Sequence, residues 1–253
     1  MAALPWIPDG LTAMDACALL DRAGWRRIGV GDWAWVYADP DDALAARVVP
    51  FDPAYRMFAQ DCLDGPANRF LPRVEAVVPL ARDGHITVME RLWPADETRA
   101  NAFCAALGIG NDGGDEPATG VFEEAGDPDL ALLAMRIRAL LAQGAARYAV
   151  WGGSDIRAGN VMADSSGALK LVDPVFIAGR KVFAAIEAGD RAMLRGFTRG
   201  QVEDFLSIAV FAPGGPGHDS RDSLLERVAA IFAHESGSPI QRGIIRRECG
   251  GPR

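Results

Sequence analysis

Metal-ligand clusters and disulfides find little to build on in this chain. Its 253 residues include four cysteines (Cys17, Cys62, Cys104, Cys249) and three histidines (His85, His218, His234). No C-x-x-C occurs and the histidines have no ligand spacing, which argues against a zinc site or a disulfide frame. The cysteines read as small apolar side chains or free thiols in a reducing cytosol. No apolar run approaches the roughly 20 residues that a membrane-spanning helix needs. Ala13 to Leu20 is apolar but is interrupted by Asp15 and has no basic lead-in, so it does not read as a signal peptide. Positive charge is also short: 26 Lys and Arg stand against 34 Asp and Glu, a net charge of −8. That argues against nonspecific nucleic-acid binding, which needs a basic face. No internal repeat is visible. What is present, 49% hydrophobic and 24% charged residues, suits a folded cytoplasmic protein. The length allows one large domain or two small lobes sharing a cleft.

Chemistry-bearing residues are densest in Trp151–Gly179, WGGSDIRAGNVMADSSGALKLVDPVFIAG. Two short apolar runs, 160–163 and 168–172, flank Asp164-Ser165-Ser166-Gly167, a set of residues that tolerate left-handed backbone. This predicts a hairpin with Asp155 and Asn160 just before it and Asp173 at its exit. Folding the hairpin brings Asn160 and Asp173 together, and an amide oxygen beside a carboxylate suits a hard cation such as magnesium, with room left for phosphate oxygens.

Near the other end, Gly29, Gly31 and Ala34 form a G-x-G-x-x-A, a pattern shared by dinucleotide-binding and kinase-like folds. Asp52 even lies about where a dinucleotide-binding acid would sit. The residues that follow separate the two: a dinucleotide loop opens a helix, whereas Trp33 to Tyr37 is aromatic and β-branched and runs into the turn Asp39-Pro40-Asp41-Asp42. With Leu44–Val49 extended, the pattern is strand, glycine turn, strand, turn, strand. An antiparallel sheet is expected, with a glycine turn that lets backbone N–H groups approach phosphates.

The remaining elements are legible from periodicity and caps. A helix is predicted over 11–23, capped by Thr12 and closed by Gly24. Another starts at Pro53. Two strands within 70–92 are joined by Ala81–Gly84. Helices are expected over 96–107, over 128–143 with Leu130, Leu133, Ile137, Leu140 and Leu141 on one face, over 180–195, over 201–211 and over 222–235. Residues 108–127 form an acidic, Gly-rich insertion without a calcium-loop register, and His218 falls in a surface loop.

Taken in order, the glycine turn, Leu44-Ala45-Ala46-Arg47, Val88-Met89-Glu90-Arg91-Leu92, D-x-x-x-x-N and the Asp after the hairpin resemble the protein-kinase-like phosphotransferase superfamily. The early serine/threonine protein kinase of short-tailed bacteriophages is the nearest likeness, through GDWAWVY, Pro53-Ala54-Tyr55 and V-D-P-V. The resemblance implies an α+β, two-lobed fold. Residues 1–92 would form an N-terminal lobe of antiparallel sheet and helix, residues 93–240 a mainly helical lobe, and 241–253 a frayed basic tail. It implies ATP and Mg2+ as cofactors. Gly29, Gly31, Ala45, Arg47, Met89, Glu90 and Leu92 would contact the nucleotide, Asn160 and Asp173 would hold metal, Asp155 would serve as base, and Arg157 would neutralise charge on the transferring phosphate. A protein substrate is implied, with no nucleic acid or membrane partner, in the host cytoplasm if the chain is phage-encoded.

The chain departs from the family pattern at several points. Arg47 stands where the family has Lys, and the exchange is not conservative. The helix after Pro53 has no Glu and offers Asp61 with a shorter reach. Asp173-Pro174-Val175 replaces D-F-G, no A-P-E follows, and Gly153-Ser154 precedes Asp155 where the family has His-Arg. Regulation through a phosphorylated activation segment is not expected. The expected activity is transfer of phosphoryl from ATP to a protein serine or threonine. Two alternatives remain open: a small-molecule phosphotransferase of the aminoglycoside or choline kinase type, and a pseudokinase-type binding module.

Overall fold

The structure, a computed structural model, describes residues 4–110 and 126–233. Thr12 caps α1 (Ala13–Arg22) by accepting from the Asp15 N–H. Past the helix, Gly24 takes the left-handed backbone (φ 83°) that a side chain would resist. The chain then lays down β1 (Arg26–Val30), β2 (Trp35–Ala38) and β3 (Leu44–Val49), crosses over through α2 (Pro53–Asp64), and returns as β4 (Val74–Pro79) and β5 (His85–Glu90). These strands form one sheet in the order β1-β2-β3-β5-β4. Every neighbouring pair is antiparallel.

Strand alternation decides what each face does. Ala46 and Val48 of β3, with Ile86 and Val88 of β5, pack under α1 in a core that includes Leu20, Trp25 and Tyr37. The residues between them look the other way, and β3–β5 pairing sets Ala45 opposite Met89 and Arg47 opposite Thr87. One face is thus closed by α1, while the other is left for α2 and a cleft.

Beyond β5 the chain is mainly helical. A two-residue strand, β6 (Trp93–Pro94), leads into α3 (Glu97–Leu107) and then α4 (Pro128–Arg147), followed by β7 (Trp151–Ser154), β8 (Val161–Ala163), β9 (Leu169–Leu171) and β10 (Val175–Ile177). The predicted apolar face of α4 is buried at all five positions, Leu130, Leu133, Ile137, Leu140 and Leu141. The last helices are α5 (Gly179–Ala188), α6 (Arg199–Phe205) and α7 (Arg221–Phe232).

Two of these are shorter than periodicity suggests. Helix α5 ends at Gly189, which is left-handed at φ 68° and closes it by donating to the Ala185 and Ile186 carbonyls. Helix α6 opens with a capping box between Thr198 and Gln201, then gives way to a 3-10 turn over Ala209–Phe211. The architecture is the expected α+β one, antiparallel sheet first and helices after. Most of the acidic insertion and the basic tail lie outside the described residues. At the edges of the insertion, Gly108 caps α3 in left-handed geometry and Asp127 caps α4. No described helix is long and apolar enough to cross a membrane.

Helix α2 is anchored to α4 by a buried cation. Arg136, 8% exposed, donates through Nε to the Asp61 carboxylate at 2.9 Å and to the carbonyls of Pro66 and Asp61 at 2.6 Å each. Replacing Arg136 with Ala strands that carboxylate and two carbonyls. Arg136→Ala is expected to cost about 3 kcal/mol, read as a lower denaturant midpoint at unchanged slope.

Candidate active site

The hairpin forms as predicted, with β8 paired to β9 in the register Val161↔Leu171. Its turn is drawn tight by Asp164, whose Oδ1 accepts from the N–H groups of Ser166 (2.8 Å) and Ala168 (3.0 Å). Gly167 supplies the left-handed step at φ 85°. The pairing of β7 with β10, Ser154 opposite Val175, was not foreseen from sequence because two of the four residues of Trp151-Gly152-Gly153-Ser154 are glycines, which disfavour strands. That pairing sets Asp155 beside Asp173, and the Asp155 N–H donates to the Pro174 carbonyl at 2.8 Å.

Asn160 joins the two. Its Nδ2 donates to the Asp155 carbonyl (2.7 Å), the Asp155 carboxylate (2.7 Å) and the Asp173 carbonyl (2.9 Å). These bonds use the amide nitrogen, leaving Oδ1 as the atom suited to a cation. The Asn160–Asp173 pair would offer magnesium two oxygen donors, the rest falling to phosphate and water. Among the described residues no group of three or more His, Cys, Asp or Glu is gathered as for a metal ion. A protein-only cage is therefore not what this site offers.

All eleven residues singled out from sequence line a single cleft of about 690 Å3: Gly29, Gly31, Ala45, Arg47, Met89, Glu90, Leu92, Asp155, Arg157, Asn160 and Asp173. The glycine turn launches strand β2 rather than a helix, which removes the dinucleotide-binding reading. Its geometry qualifies one expectation. The Gly31 N–H closes the turn onto the Ala34 carbonyl at 2.9 Å, so it is already engaged. The space a Gly31 Cβ would enter is open, and neither Gly29 nor Gly31 has positive φ. The tip is also tied to the helical part. The Asp32 carbonyl accepts from Val210 N–H at 3.2 Å, and Trp33 packs on Phe205 and Phe51 with ring centroids 5.4 and 6.3 Å apart.

At the far wall, Met89 is 7% exposed. The Glu90 N–H is taken by the Arg73 carbonyl, and the Glu90 carboxylate accepts from Arg73 N–H at 2.8 Å and faces Lys170 of β9 at 3.6 Å. That contact joins the sheet to the hairpin. Arg157 differs from expectation: its Nε lies 2.9 Å from Asp155 Oδ1, so it rests on the Asp155 carboxylate. Its side chain is 65% exposed.

Arg47 does not meet Asp61, which is committed to Arg136. Its Nη2 instead reaches Asp52 Oδ2 at 3.1 Å and Asp173 Oδ2 at 3.2 Å, and its guanidinium carbon lies 3.5 Å from the centre of the Tyr55 ring. Sequence reasoning placed Asp52 only where a dinucleotide-binding acid would sit, and used Tyr55 only as part of a family likeness. The available signal was Asp-Pro at a helix start, where Asp52 turns out to be the N-cap of α2. Burial acts against the Arg47 charge, but Asp173 and Asp52 reverse that and hold it protonated. Behind Tyr55 lies His85, fully buried with neither ring nitrogen hydrogen-bonded. Burial, with Arg47 and Arg56 nearby, pushes its pKa down to about 3, so it is neutral at physiological pH.

No family model matches the chain, and no curated protein matches it in sequence. Solved structures do. The aminoglycoside phosphotransferase APH(4)-Ia is 12% identical over 90% of this chain and 99% of its own, with a TM-score of 0.33. APH(3'')-Id from Streptomyces rimosus is 18% identical over 92% and 94%, with a TM-score of 0.32. A thermostable mutant of APH(4)-Ia in ternary complex with ADP and hygromycin B is 13% identical over 88% and 99%, with a TM-score of 0.29. Likeness at this level carries no argument about what this chain binds, which has to come from the cleft.

Asp173 gives the site a pH signature. Burial raises its pKa from 3.8 to about 7, against the pull of Arg47 and with the push of Asp52 and Asp155. Between those two values the folded protein holds a proton that the unfolded chain has lost. Stability attributable to Asp173 therefore falls as pH rises through that window. Asp173→Asn is expected to raise the melting temperature of the ligand-free protein at pH 8 and leave it nearly unchanged at pH 4, where the native carboxyl is already neutral. Equal shifts at both pH values would refute this.

Proposed function

We propose that this chain is a magnesium-assisted phosphotransferase that passes the γ-phosphoryl of ATP to a hydroxyl. The observation that carries the reading is the junction at Asn160. One amide draws Asp155 and Asp173 together in the same cleft that holds the glycine turn and a buried cation. A binding module without chemistry would have no need to keep that constellation, so the pseudokinase reading is the weaker one.

In this mechanism the cleft between Ala45, Met89 and Leu92 takes the adenine, and Arg47 faces the phosphates. Asn160 and Asp173 would hold the metal, which supplies charge neutralisation across the phosphate oxygens. Asp155 accepts the acceptor's proton as its oxygen bonds to phosphorus and the bond to the ADP oxygen breaks. Arg157 is long and exposed enough to leave Asp155 for the transferring phosphoryl group. Most of the catalytic effect comes from positioning and charge neutralisation.

On the acceptor, the short path from Asp173 to α5 favours a small molecule. Only 174–178 separate the metal-binding Asp from Gly179, which leaves no segment on which to lay out a polypeptide. A protein serine or threonine acceptor, with the phage-kinase likeness behind it, is the second reading. It is favoured by an open apolar groove that shares Trp33, Phe176 and Ile177 with the cleft and carries Phe183, Phe205 and Phe211. A polycationic acceptor is poorly served there, because Asp32 is the one acid among the described residues lining that groove.

Incubation with γ-labelled ATP and magnesium tests the proposal. Label should pass to a small alcohol from a metabolite pool, and Asp155→Ala should slow transfer about 10²-fold or more. Label passing to protein instead supports the second reading. Nucleotide binding with no transfer to either pool would sink the phosphotransferase.

A further inference from the structure

Arg47 looks like the weak point of this site, a planar fork where a compact ammonium is expected. The residues around it point the other way. Asp52 is the N-cap of α2, and its two carboxylate oxygens do different work: Oδ1 accepts from the Tyr55 N–H at 3.0 Å and Oδ2 meets Arg47 Nη2 at 3.1 Å. The backbone of Tyr55 therefore fixes the carboxylate that holds Arg47, and the ring of the same residue lies under the guanidinium at 3.5 Å. Asp52 is 8% and Tyr55 2% exposed, so neither group is held by chance at a surface. A lysine could pair with Asp52 but offers no plane to lie on Tyr55.

Building on the phosphotransferase reading, we propose that Asp52 is the positioning acid of the cleft. From the helix cap it holds Arg47, floored by Tyr55, toward the phosphates. The acid that a helix interior would otherwise supply is absent, since Asp61 is bound to Arg136. Arg47 splits one nitrogen between Asp52 and Asp173, at 3.1 and 3.2 Å. Were Asp173 to hold a metal ion, Asp52 and Tyr55 would remain to keep Arg47 in place, with its other guanidinium donors facing the phosphates.

Asn is as good a helix cap as Asp, so Asp52→Asn keeps the cap and removes the charge. Calorimetric titration with a non-hydrolysable ATP analogue and magnesium is the readout, beside ATP turnover. Asp52→Asn is expected to weaken analogue binding about tenfold in the otherwise native chain and to have almost no effect in an Arg47→Gln background. Arg47→Lys should lower turnover. Unchanged or tighter binding by Asp52→Asn would overturn the proposal, since that is the result if Asp52 only caps α2 and repels phosphate. An equal loss in both backgrounds would overturn it too, showing that Asp52 does not act through Arg47. Native protein that binds no adenine nucleotide overturns the phosphotransferase reading itself, and with it this role.

Discussion

The cleft depends on one amide nitrogen. Asn160 is 8% exposed and donates to two parts of Asp155 and to the backbone of Asp173, groups that lie 5 and 13 residues away in the chain. A buried amide donor without acceptors costs on the order of 1–3 kcal/mol, so the three contacts hold one another in place. They also set two carboxylates side by side, an arrangement that repulsion opposes unless a cation offsets it. Two cations do so: Arg47 on Asp173 and Arg157 on Asp155.

The second constraint is the aromatic layer between sheet and helices. Trp33 at the glycine turn, Phe51 after β3, and Phe197 and Phe205 from the helical part lie within 5.4 to 6.4 Å of their neighbours. Tyr148 extends the layer, stacking on Phe197 at 5.1 Å. Burial of such rings is the largest apolar contribution available at a junction of this kind. Because Trp33 belongs to the glycine turn, the same packing that joins the two parts also fixes the roof of the cleft. Gly179 makes room for it: a Cβ there would come within 2.8 Å of the Trp33 ring.

Much of this was legible before any coordinates. The aromatic and β-branched run 33–37, the extended segment 44–49 and the turn residues between them specify a hairpin sheet, and the leucine spacing of α4 specifies its buried face. The grouping of the eleven cleft residues was implied by the resemblance to kinase-like phosphotransferases. Less legible were the features set by contact between distant segments. Strand β7 has two glycines and no β-branched residue, so local preference gives no hint of it, and it exists because β10 needs a partner. The shortening of α5 turns on Gly189, while α6 starts at its Thr198 cap and stops at Phe205, ahead of the 3-10 turn over Ala209–Phe211.

Sequence by itself determined the elements, the glycine turn and the Asp-Asn-Asp spacing, because periodicity, caps and turn chemistry act between near neighbours. Tertiary structure alone decided which acid meets which base. Asp61 and Asp52 lie nine residues apart on and before one helix, and nothing in their spacing says that the first turns to Arg136 and the second to Arg47. A charge that is buried must find its counter-charge, and only the folded arrangement says which one is within reach.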